Sequence, residues 1–195
     1  MIKSLTNPFE IYNEKKLLTI GIFFLIIAAL ISSQFDLLLY GSLKILNNYK
    51  QLYFAAIFNI CITVFSNVAV FFLFGRIRYS KTRFIDVLNV MLVAHIPMYF
   101  VLFLTGLPII EDAQTFIELE ILGSDNLQSI VLPKEYALIL GLYAILALSL
   151  LVYFFYLIIV GMKIAINSKS NWDNILMILM VLLWNTLLQI FNLFI

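Results

Sequence analysis

Apolar positions are bunched into long unbroken runs rather than alternating along the chain. Five such runs cover 17–33, 52–74, 85–106, 136–162 and 172–194. Each is near the roughly 20 residues that a helix rising about 1.5 Å per residue needs to cross about 30 Å of hydrocarbon. No Lys, Arg or Glu interrupts their interiors. A soluble chain of 195 residues lacks the interior volume to hide five such segments. The pattern predicts an all-α membrane protein, a bundle of five transmembrane helices forming a single domain over 1–195.

Between the runs the polar pattern is uneven. The second loop carries Arg76, Arg78, Lys81 and Arg83, the fourth Lys163 and Lys169, and the N-terminal flank Lys3, Lys15 and Lys16; the other side has only Lys44, Lys50 and Lys134. Short basic loops stay in the cytoplasm. Nine basic residues against three therefore place the N-terminus inside and the C-terminus outside. Phe9, Ile11 and Tyr12 fit a headgroup-level segment next to Lys15 and Lys16, with a disordered tail as the equal alternative. Loop one, with Tyr40 and Tyr49, is expected to rest on the outer interface. The first span has room to run on to Leu39 before breaking at Gly41.

The third loop is the longest and is acidic. Within it Ile117, Leu119 and Ile121 alternate with Glu118 and Glu120 ahead of Gly123-Ser124-Asp125-Asn126, a turn signal. That pattern predicts a short β-hairpin on the extracytoplasmic side. An amphipathic helix over 110–122 is the competing reading.

Polar residues inside the spans are the candidate functional positions. Asn59, Thr63, Ser66 and Asn67 share one face of span two, and Asn185, Gln189 and Asn192 one face of span five, by their spacing of three and four. The functional reading is a lined pathway. The structural one is hydrogen bonding between helices, worth about 0.6 kcal/mol per bond on average. Asp86, with Asn89, opens span three beside Arg83, close enough for an interfacial ion pair. His95 lies nine residues from Asp86, half a turn out of phase, so the two face apart. Pro97 removes an N–H and predicts a kink at which a neutral His95 satisfies local backbone groups. Ala137, Gly141 and Ala144 form a small-residue stripe on span four suited to close helix approach.

Composition agrees: 64% of residues are hydrophobic and 12% charged, against roughly 45–50% and about 25% in soluble domains. A net charge of +1 gives no electrostatic case for nucleic acid. One cysteine, Cys61, and one histidine make neither an internal disulfide nor a metal cluster. No catalytic motif and no cofactor motif is found, and none is expected.

The order of these features resembles the Yip family of Ypt/Rab-interacting membrane proteins, in its prokaryotic branch. The likeness rests on Asn7-Pro8-Phe9 ahead of five spans and on Lys81-Thr82-Arg83-Phe84-Ile85-Asp86-Val87-Leu88 leading to Ala94-His95-Ile96-Pro97. The resemblance implies retention of the first span rather than cleavage as a signal peptide. It also implies a non-enzymatic protein working through partners, some prokaryotic relatives being associated with ABC exporters. The expectation is an accessory or scaffold subunit of the cytoplasmic (inner) membrane, bound to another integral membrane protein or to itself. A small transporter or channel lined by spans two and five is the alternative.

Overall fold

The computed structural model describes residues 6–123 and 132–195. Five helices in it are long and apolar enough to cross a membrane. In chain order, α1 is a single turn at Pro8–Ile11 and α2 is the first span, Glu14–Gln34. The two-residue strands β1, Leu38–Leu39, and β2, Ile45–Leu46, follow. Then come α3, Tyr53–Arg78, and a third span in two pieces, α4, Phe84–Ala94, and α5, Ile96–Thr105. Helix α6, Pro108–Gly123, precedes the last two spans, α7, Lys134–Ala165, and α8, Trp172–Phe191.

Local chemistry sets these boundaries. Asn13 caps α2 by accepting the Lys16 N–H at 2.9 Å, with Glu14 in the first turn where the helix dipole favours an acid. Arg76 and Arg78 fill the last turn of α3, where cations are favoured. Asn192 ends α8 in the left-handed region at φ 44°, a conformation asparagine tolerates better than most residues.

The third span is the hub. In its apolar window 72% of residues are buried, against no more than 39% in any other span. Lipid tails are as apolar as leucine, so helix association here rests on close packing and hydrogen bonds. Close approach comes from small residues. Gly21 of α2 abuts Leu92 so tightly that an added Cβ lies 2.5 Å from the Leu92 Cβ. Ala28 and Ala29 are completely buried. Gly161 of α7 accepts both Val90 and Phe9, which packs α1 against the bundle.

The alternation of spans is visible in the contacts. Arg83 meets Glu14, and Arg78 Nη2 lies 2.8 Å from Asp173 Oδ1, at one end of the bundle. At the other end Asn47 donates to Gln114 at 2.8 Å, and Ile195 pairs with Asn59.

Two loops depart from expectation. Residues 110–122 of the third loop are helical, within α6, not a hairpin. Pro108 stands at the first helical position, which it favours. The inward residues Ile110, Ala113 and Phe116 recur at a spacing of three, so the alternation after Ile117 was a short coincidence on a longer helical period. The turn at Ser124-Asp125-Asn126 and the strand expected after it lie outside the described residues. Among the described residues the hairpin is in loop one. Leu38 pairs with Leu46 and Leu39 with Ile45, antiparallel. The first span ends at Gln34 rather than running on to Leu39. Nor does the loop rest on an outer interface: Leu37, Leu38, Leu39 and Ser42 are all buried, and the segment enters the bundle.

Candidate functional site

The re-entrant hairpin explains the polar faces. Its tip turns at 40–44, where the Tyr40 N–H donates to the Lys44 carbonyl at 2.7 Å and Gly41 adopts φ 74°. Ser42 then sits wholly buried against three spans. Its backbone N–H donates to Asn185 Oδ1 of α8. Its Oγ accepts from Asn67 Nδ2 of α3 at 3.1 Å and lies 2.8 Å from His95 Nε2. His95 Nδ1 lies 2.7 Å from the Met91 carbonyl. A carbonyl only accepts, so Nδ1 carries the proton and Nε2 of the neutral ring accepts from the Ser42 hydroxyl. The result is a directed chain from Asn67 through Ser42 and His95 to Met91.

Each lock residue also satisfies its own helix. Asn67 Nδ2 donates to the Thr63 carbonyl at 2.7 Å, and Asn185 Nδ2 to the Val181 carbonyl at 2.8 Å. Thr63 Oγ1 reaches the Leu39 carbonyl at 3.4 Å. At the start of the turn, the Tyr40 hydroxyl lies 2.8 Å from the Gln189 carbonyl and 2.9 Å from Asn192 Oδ1, and Gln189 Nε2 reaches the Tyr40 carbonyl at 3.4 Å. Asn59 donates to Gln51 Oε1 at 2.9 Å, and Gln51 in turn donates to Ser32 Oγ at 2.8 Å. The stripes of spans two and five thus converge on the chain's own loop. Asn59, Thr63, Asn67 and Asn185 are each no more than 1% exposed.

Sequence reasoning found no nucleophile beside a base, yet the fold places Ser42 and His95 within hydrogen-bond reach. The pair is built as a lock. Both side chains are fully buried, and His95 is oriented by a carbonyl, not a carboxylate. The Ser42 N–H, a natural oxyanion donor, is already engaged by Asn185.

A second, charged constellation occupies the other end of the bundle. Arg83 forks onto Asp86, Nε at 2.9 Å from Oδ2 and Nη2 at 2.6 Å from Oδ1, and Nη2 also meets Glu14 of α2. These bonds, Asp86's first and Glu14's second, raise the Arg83 guanidinium above its already high ordinary pKa. Asn89, one turn further in, is buried, and its Nδ2 donates to the Glu14 carbonyl at 3.3 Å. Asp86 and His95 belong to separate sites, one at the interface and one at mid-span, as their half-turn offset required. Pro97 breaks the span as expected. The His95 ring bonds the Met91 carbonyl, a local backbone group of that kink.

Three positions escaped the sequence reading. Ser42 gave no signal beyond lying in loop one, and Gly41 was read only as the break after the first span. Asp173, second residue of the last span, was passed over although it is an acid in a membrane helix. It is buried, pairs with Arg78 and accepts from Ser168 Oγ at 2.5 Å. Among the described residues no three His, Cys, Asp or Glu side chains come together as a metal site.

The stripe of Ala137, Gly141 and Ala144 on α7 points away from the bundle: all three are exposed, and nothing lies within 4 Å of a Cβ built on Gly141. No buried residue occurs on α7 before Phe154.

Compared with protein-family models, curated proteins and solved structures, the chain gives no match.

Proposed function

We propose that this multi-pass membrane protein is a non-catalytic accessory or scaffold subunit that binds another integral membrane protein, of which an ABC-type exporter is the leading candidate. The observation that carries this reading is the outward stripe on α7. Ala137, Gly141 and Ala144 are spaced by four and three on an exposed face, with open space around Gly141. Small residues at that spacing let two helix backbones approach closely in lipid, where van der Waals contact replaces the hydrophobic effect as the source of affinity. The orientation is part of the same reading, with the basic loops and Glu14 inside and the hairpin and α6 outside. The Yip-like entry to span three, Lys81 to Pro97, belongs to it as well.

The alternative, a small transporter or channel lined by spans two and five, is less favoured. It needs water between two stripes that here grip the inserted loop. Irregular backbone is tolerated at membrane depth where protein buries it, and Ser42 and Gly41 meet that condition.

The test is affinity purification of the full chain from native membranes, comparing the wild type with Gly141→Leu. A distinct membrane protein should co-purify with the wild type and be lost, by tenfold or so, with the variant, while the variant's own yield and Tm stay unchanged. A monodisperse homomer without partner, identical for both chains, would overturn the proposal.

A further inference from the structure

The charged end of the bundle opens into a cavity of about 280 Å³ between α2, α4 and α7, with Glu14, Arg83 and Asp86 at its rim. Asn89 lines it, is 2% exposed, and its Oδ1 has no hydrogen-bond partner. Tyr12 and Leu17 are shared with a second cavity of about 370 Å³, which is apolar. Phe24 and Phe100 are shared in turn with a third apolar hollow further along the same seam.

These hollows form one groove. On α2 its wall is Leu17, Ile20, Phe24, Ile27 and Ile31, spaced by three and four along a single face. On the third span the wall is Asn89, Val93, Pro97, Phe100 and Phe103, again one face. From Leu17 to Ile27 the helix rises about 15 Å, half the roughly 30 Å of hydrocarbon and so the depth of one leaflet. The turn α1 covers the top, with Pro8 on the apolar cavity, Phe9 on the polar one and Tyr12 on both.

We propose that this groove binds one phospholipid carrying a primary ammonium headgroup, with an acyl chain laid along α2 and the third span. Charge and donor chemistry select that occupant. Arg83 is already shared by two carboxylates, so the charged side chains lining the cavity leave one carboxylate charge unbalanced, and Asn89 Oδ1 is an acceptor lacking a donor. An ammonium supplies three N–H donors and a positive charge. A choline headgroup supplies the charge without the donors, and a glycerol headgroup the donors without the charge. The lipid phosphate then lies at the mouth, where Lys16 sits 4.1 Å over the Tyr12 ring.

Native mass spectrometry and thermal unfolding of the detergent-purified full chain decide the matter, with phosphatidylethanolamine, phosphatidylcholine and phosphatidylglycerol added separately. The ethanolamine lipid should be retained preferentially and raise Tm. Asn89→Leu should weaken its retention about tenfold, the scale of one hydrogen bond to a charged donor. Ile20→Trp, which fills the apolar groove, should abolish it, and Leu142→Trp on the exposed face of α7 should leave it intact. Equal retention of the three lipids, or undiminished retention by Asn89→Leu and Ile20→Trp, would reduce the groove to ordinary annular contact and overturn the proposal. If Asn89→Leu does not fold, the wild-type lipid comparison and Ile20→Trp settle it.

Discussion

Ser42 carries more of this structure than its size suggests. One small side chain and its backbone N–H join three spans, through Asn67, His95 and Asn185. Removing one partner of a buried hydrogen bond leaves the other unsatisfied, at a cost of about 1–3 kcal/mol. Ser42→Ala leaves the His95 Nε2 acceptor without a donor. Asn185→Leu leaves the Ser42 N–H without an acceptor. Both are expected to lower Tm in detergent, and an unchanged Tm in both would show the contacts to be idle. Gly41 is stricter still. Its φ of 74° costs an L-residue roughly 1–2 kcal/mol, and a Cβ there would lie 2.5 Å from Asn185 Oδ1. Gly41→Ala should therefore destabilise more than Ser42→Ala. At this scale the Ser42–His95 pair also makes a chemical prediction. A fluorophosphonate probe should leave the folded protein unlabelled, and covalent modification of Ser42 would identify an enzyme instead.

At the scale of elements, the spans were legible because length and continuity suffice to define a transmembrane helix. The kink at Pro97 was legible because a missing N–H has only local consequences. Loop one was not. Two-residue strands fall below any periodicity that a window detects, and Leu37-Leu38-Leu39 reads equally as helix end, interface or core. The available clue lay elsewhere. Asn67, His95 and Asn185 each sit well inside a span and each needs a partner, and the uncharged stretch 37–43 of loop one was a source. The third loop misled for the opposite reason, since five alternating residues imitated a strand inside a 16-residue helix. The element-level prediction concerns α6. Ile110 and Ala113 are buried while Glu111 and Asp112 are exposed. Ala113→Asp should therefore detach α6 and expose it to limited proteolysis, and Asp112→Ala should not. Equal cleavage of the two would contradict the amphipathic docking.

For the whole molecule, charge and span count together give an odd number of crossings, and the contacts of Arg83 with Glu14 and of Asn47 with Gln114 place the loops alternately at two ends. What charge counting could not reveal is that the bundle is closed on itself at mid-depth. Ser42, Asn67, His95 and Asn185 bond to one another there, while the α7 stripe stays exposed. Impermeant labelling of a cysteine at Lys81 and of one at Asn47 in sealed cells should give opposite results, with Asn47 reached from outside. Both reacting from the same side would overturn the topology.

The most direct examination of the inserted loop replaces Cys61 by Ala and introduces a single cysteine at Ser42 or at Asn47. A membrane-impermeant maleimide, applied to the folded protein, should modify the exposed Asn47 position readily and leave the Ser42 position untouched until the protein is denatured. Equal reactivity at the two positions would mean that water fills the space assigned to the hairpin tip, and the closed bundle would give way to an open, polar-lined path.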